Sequence, residues 1–159
     1  MSSIDTHIKF DGVEGEATHK DHKGEIAVLS WQWGVQNATT GAGGGSGRGK
    51  GTPHDFTFTH LYDKASPVLA KNCASGKHFP TVVLTARKAG EGQKDFLKVT
   101  MKEVFITSVC PAGTAGGDIA ESVTMAYKDI EFGYKAQDDK GATAGEVKFG
   151  WDIATTETR

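Results

Sequence analysis

Apolar and polar residues alternate with a period of two along most of this 159-residue chain, and that alternation constrains the fold more than any other feature. A strand points successive side chains to opposite faces, so such a segment can bury one face and leave the other wet. Ile4, Ile8 and Phe10 are in phase, with Asp5, His7 and Lys9 between them. From Glu25 to Gln36, Leu29, Trp31, Trp33 and Val35 share one face, and Ser30, Gln32 and Gly34 share the other. Ile26 and Val28 fall on the opposite phase, which a bulge near Val28–Leu29 would correct. Phe56 and Phe58 alternate with Thr57 and Thr59, and the stripes Val82–Leu84–Ala86, Leu97–Val99–Met101 and Val147–Phe149–Trp151–Ile153 follow. Val123, Met125 and Tyr127 change phase to Ile130, Phe132 and Tyr134, which predicts a second bulge near Lys128–Asp129.

One segment breaks the pattern. Ser66 suits a helix N-cap, Pro67 suits the first helical position, Val68, Leu69 and Cys73 have helical spacing, and Gly76 suits the stop. The expectation is therefore a mainly β chain, a compact β-barrel of about seven or eight strands with one short α-helix over residues 67–75. No repeat or boundary divides it, so residues 1–159 read as a single domain.

Glycine is in excess, 21 residues in all, and 7 of them fall within residues 41–51. Such a run predicts a flexible loop rather than a packed element. Gly44, Gly49 and Lys50 match the spacing of a phosphate-binding loop, but Gly51 stands where Ser or Thr should follow, and the next residues read as a strand where a phosphate loop needs a helix. Residues 1–80 carry 8 basic and 8 acidic side chains and residues 81–159 carry 10 and 12, so neither half has the basic footprint of a nucleic-acid binder. No apolar run approaches a membrane span, and the N-terminal residues lack the pattern of a secretory signal. The expectation is synthesis in the cytoplasm, with no nucleic acid and no membrane insertion.

Catalytic chemistry finds little support. His19 and His22 lie near Asp11 and Asp21 but lack a third metal ligand of obvious placement. Cys73 and Cys110 have no neighbouring base in sequence and read as reduced structural thiols, and Asp138–Asp139 read as a solvated turn. No enzyme activity, cofactor or metal is expected. Trp31 and Trp33 read as core residues, which leaves Ser30, Gln32 and Gly34 facing water or a wet channel. Around Val104 and Ile106, with Phe105 and Val109 out of phase, both faces of a strand want burial; that favours association through a sheet.

The segments FDGVEGEATHKDHKGEIAVLSWQWGVQN, GRGKGTPHDFTFTHLYDKASPVLAKNCASGKHF, LTARKAGEGQKDFLKVTMKEVFITSV and ESVTMAYKDIEFGYKAQ together resemble the haemolysin-coregulated protein (Hcp) family, the tube subunits of bacterial type VI secretion systems. The most specific elements are LSWQWG, the FTHLYDKASP helix entry and LTARKAG. The resemblance implies a homohexameric ring and rings stacked into a tube. It implies expulsion of that tube by a contracting sheath behind a spike tip, and small effector proteins carried and chaperoned in the lumen. It places Ser30 and Gln32 on the lumen as effector-facing residues. It assigns the loop bearing Gly41, Gly43, Gly44, Gly45, Arg48 and Lys50 to contact between rings or subunits, and makes the strand of Val104 and Ile106 a candidate subunit interface. A monomeric β-barrel holding a small ligand in its own interior is the alternative, and an enzyme using Cys73 or a histidine is a third.

Overall fold

The computed structural model describes residues 3–39, 48–90, 92–137 and 143–159. Twelve strands and one helix follow one another there: β1 (Ile4–Phe10), β2 (Ile26–Val28), β3 (Ser30–Gln32), β4 (Val35–Thr39), β5 (Arg48–Pro53), β6 (Phe56–Leu61), α1 (Ser66–Ser75), β7 (Phe79–Lys88), β8 (Asp95–Ala112), β9 (Ala120–Ala126), β10 (Asp129–Gln137), β11 (Thr143–Asp152) and β12 (Glu157–Thr158). The mainly β class and the single helix agree with the sequence. The closed barrel does not: ten strands pair in the order β12-β11-β10-β8-β7-β1-β2, with β3, β6 and β9 branching off β8, and the path ends on open strands. These ten strands form two sheets that share one long strand, and β4 and β5 pair as a separate two-stranded sheet.

That strand is β8. β9 and β10 run antiparallel to it in nearly unbroken register, with Phe105 opposite Ala126, and Lys102 opposite Asp129. Between these pairs the ladder bends. Glu103 takes a left-handed φ of 51°, and the Lys128 amide donates to the Lys102 carbonyl at 3.0 Å. Beyond the bend β9 turns its free edge to β6, while β10 turns its own to β11. The irregularity expected near Lys128–Asp129 is thus the hinge at which one strand pair leaves the first sheet for the second.

The segment from Glu25 to Gln36 is three strands rather than one with a bulge. β2 pairs with β1, the chain turns at Leu29, and β3 pairs with β6. Ile26 is buried, and Trp31 and Trp33 pack on the core, but Leu29 and Val35 are 61 % and 50 % exposed. The change of sheet, not a bulge, reconciles the two phases. His7, expected on the wet face of β1, is buried as well.

The helix ends as expected, with Gly76 at φ 72°. Its start differs by one residue. Ala65 is the cap and has no side-chain bond of its own; the Asp63 carboxylate accepts from the Ala65 amide at 3.0 Å, and Ser66 Oγ accepts from the Asp63 amide. The glycine cluster is also not wholly loop. Arg48–Pro53 is a strand paired with Val35–Thr39, and a Cβ at Gly51 would stand 3.1 Å from the Trp151 ring, so glycine there lets the β4–β5 hairpin lie against β11.

The space between the sheets is filled. Phe10, Phe56, Phe58, Leu84, Met101, Met125 and Ile130 are fully buried, and Trp31 stacks on Phe56 with 5.6 Å between ring centroids. Among the described residues these side chains occupy the space that a ligand-binding barrel would leave open.

Candidate functional site: the open face of the smaller sheet

β3, β6, β9 and the second half of β8 make one face that does not look into the core. Phe56, Phe58 and His60 of β6 point inward, so Thr57, Thr59 and Leu61 point outward. Strand register then assembles two rows. Gln32, Thr57, Thr124 and Ser108 lie across from one another in one, and Ser30, Thr59, Ser122 and Cys110 in the next. Ser30 and Gln32 are exposed; the threonines are half-buried by their neighbours.

Hydroxyls knit the rows together. Ser30 Oγ and Thr59 Oγ1 are 2.6 Å apart, Thr57 Oγ1 and Thr124 Oγ1 are 3.2 Å apart, and Thr107 Oγ1 donates to the Thr124 carbonyl at 3.1 Å. Neither row carries a carboxylate, an amine or a large apolar side chain. Such a surface offers many weak hydrogen bonds and no fixed charge, which suits sliding contact with varied chains better than tight binding of one ligand.

Beneath the face, on the core side, His60 Nε2 lies 2.8 Å from Glu121 Oε1, directly across from it between β6 and β9. Both are essentially inaccessible to water. This buried pair bridges the two strands that carry the hydroxyl rows. Trp33 Nε1 donates to the Tyr127 hydroxyl, which donates to the His54 carbonyl at 2.8 Å; burial pushes the Tyr127 phenol pKa up. That chain ties the end of β3 to the bend after β9.

The other sequence candidates fall elsewhere. Val104 and Ile106 are buried in the chain's own core, and Val109, beyond a register shift, also packs against that core; Phe105 and Ser108 of the same strand are half-buried on its other side. Arg48 and Lys50 belong to β5, while Gly41, Gly43, Gly44 and Gly45 lie outside the described residues, as do Asp138 and Asp139. His19 and His22 do come together, but with His7 and with carboxylates that occupy both nitrogens of His22, and among the described residues no group of three side chains is arranged for a metal. Cys73 is half-buried against the core and Cys110 is exposed; neither is bonded to another cysteine. No described helix is long and apolar enough to cross a membrane.

Two clusters had no signature in the sequence. The His60–Glu121 pair joins residues 61 apart, and Arg87 bonds both Asp21 and Asp95 at 2.8 Å, across separations of 66 and 8 residues. Strand register brings His60 to Glu121 and Arg87 to Asp95, and the return of residues 11–25 brings Asp21 to Arg87.

Comparison with known proteins agrees with this architecture. Residues 7–134 match the family described as type VI secretion system effector, Hcp. The chain is 43 % identical over 155 residues to the Pseudomonas aeruginosa protein hcp1, covering 95 % of this chain and 96 % of that one. A solved type six secretion system protein superposes with a TM-score of 0.92 at 31 % identity, over 99 % of this chain and all of that one. Hcp1 from Salmonella typhimurium gives 0.81 at 30 % identity, over 99 % and 100 %. The chain belongs to the Hcp family of type VI secretion proteins, a family of structural, secreted components and not of enzymes.

Proposed function

We propose that the chain works as the ring-forming tube subunit of a type VI secretion system: six copies close into a ring, rings stack, and the stack is expelled by the sheath behind the spike tip. The open hydroxyl face carries the reading. A sheet face with two rows of small uncharged polar groups makes a wall past which small effector proteins can travel and shelter, and Ser30 and Gln32 are its outermost members on β3. Export starts in the cytoplasm in this reading.

On the other side of the Val104–Ile106 strand, the half-buried Phe105 serves the contact between copies. The segment Gly41, Gly43, Gly44, Gly45, Arg48 and Lys50 serves contact between rings; the β4–β5 hairpin that bears it is anchored through Gly51 on Trp151.

Negative-stain imaging and light scattering of the purified protein test the ring. Six-membered particles are expected, and a strictly monomeric particle at micromolar concentration overturns the proposal. Thr57→Lys with Thr124→Lys tests the wall: folding and ring formation are retained while effector protection is lost. Full protection by that charged variant would remove the face from the mechanism.

A further inference from the structure

Three histidine rings gather where residues 11–25 cross the outer face of the larger sheet. His7 on β1 and His22 in the crossing segment are stacked, with centroids 4.6 Å apart and an interplanar angle of 11°, and His19 stands 5.7 Å from each. His7 is 6 % exposed and its Nδ1 has no partner. Burial, followed by the neighbouring His22, holds the His7 pKa below its ordinary value.

His22 is different. Its Nδ1 lies 3.0 Å from Glu25 Oε2 and its Nε2 3.2 Å from Asp95 Oδ1. Ionised carboxylates only accept, so this geometry is satisfied in full when both ring nitrogens donate, which is the imidazolium form. The His22 ring is thus pinned between two carboxylates, whereas the stacked His7 ring has no partner at Nδ1. Asp95 also accepts from Arg87 Nε, and Arg87 Nη1 reaches Asp21 of the crossing segment. Asp5, Lys20 and Lys94 complete the charged groups around the cluster, with Arg87, Asp21, Glu25 and Asp95.

We propose that the stacked His7–His22 pair is an acid-opened latch that holds residues 11–25 onto β1 and β7. A proton taken up by His7 puts a charge on a buried ring stacked against His22 beneath the segment, and the segment lifts while the two sheets stay folded. The far end of the segment is tied near the helix entry, where Glu16 Oε2 accepts from the Lys64 amide at 2.7 Å. Glu16 and Ala17 also wall a cleft of about 270 Å³ whose floor is Val28, Leu29, Leu61 and Tyr62. Opening the latch therefore takes away one wall of this cleft beside the hydroxyl face.

Hydrogen exchange of the full-length protein between pH 7.5 and pH 5, corrected for intrinsic rates, tests the latch. The reporters are the amides of Gly15, Ala17, His22 and Gly24, which bond within the segment, against those of the β7–β8 ladder. The segment's opening constant is expected to rise by up to tenfold per pH unit while His7 takes up its proton, with the ladder unchanged. His7→Phe keeps a stacking ring without a titrating group and should abolish the rise. Should that variant not fold, His22→Gln removes the ring stacked on His7 and should flatten the response as well. Exchange of the segment that does not depend on pH, loss of segment and ladder together, or an unchanged acid response in either variant overturns the latch.

Discussion

The outer face of the smaller sheet is bare and lined with hydroxyls, whereas the outer face of β1 and β7 is covered by residues 11–25 and filled with charge. Both faces lie opposite the same core. On the bare face, polar groups that water can reach need no burial, so Ser30, Thr59, Thr57 and Thr124 settle for weak mutual bonds. On the covered face, Arg87 and His22 have lost most of their water and are held by three carboxylates, Asp21, Asp95 and Glu25. The difference teaches where conditions can act: the covered face responds to pH and to cover geometry, and the bare face to neither.

The largest effect is expected from preventing the cover from closing. A Cβ on Gly15 would sit 2.5 Å from the Glu25 carbonyl oxygen and 3.0 Å from Ile26 Cγ1. Backbone cannot yield as a flexible side chain can, so Gly15→Ala should cost about 2–3 kcal/mol, read as a lower denaturation midpoint at unchanged slope. The same variant should accelerate exchange in residues 11–25 before it affects β6 or β9. A cost below about 0.5 kcal/mol would mean that the cover is not fixed to the sheet at all.

Acid should distinguish the two faces next. The folded-state pKa of His7 is lowered, so the unfolded chain binds a proton at His7 that the folded chain refuses. Stability from this group is complete above its ordinary pKa and falls as pH drops through that value toward the lower folded one, by at most about 1.4 kcal/mol per pH unit. The Arg87 hydrogen bond holds the Asp21 carboxyl pKa down as well, so its contribution is lost only in more acid solution, through the low folded pKa. Denaturant midpoints at pH 7.5, 6 and 5 check the first loss, and His7→Phe should remove it.

The two faces also differ in how far the sequence announces them. Alternation at Phe56–Leu61 and Val123–Tyr127 separates inward aromatics from outward threonines directly, and the polar phase at Ser30 and Gln32 marks the bare face without any structure. The same rule misplaces His7. By phase it belongs with Asp5 and Lys9 on a wet surface, and only the return of residues 11–25 across β1 buries it. The hinge is half legible: the phase change after Tyr127 locates it on one strand, but nothing about Glu103 in the sequence signals the left-handed residue opposite. The break at Leu29 reads as a bulge because a bulge and a change of sheet produce the same pattern of phases. Long-range pairs such as His60–Glu121 stay silent because register between strands, which sets them, is not a local property.

The smallest expected effect is on the bare face itself. Ser30 Oγ and Thr59 Oγ1 are 2.6 Å apart, on directly opposed residues of β3 and β6. A double-mutant cycle of Ser30→Ala and Thr59→Val isolates that bond from the β-propensity of each replacement. The coupling should be about 0.2–1 kcal/mol, the range for cross-strand hydroxyl pairs, because each group regains water when its partner is removed. Neither residue titrates, so the coupling should be the same at pH 7.5 and at pH 5, where the His7 contribution is falling. A coupling that weakened in acid alongside the stability of residues 11–25 would show that the two faces communicate through the sheets, and the division between a bare neutral surface and a latched charged one would have to be abandoned.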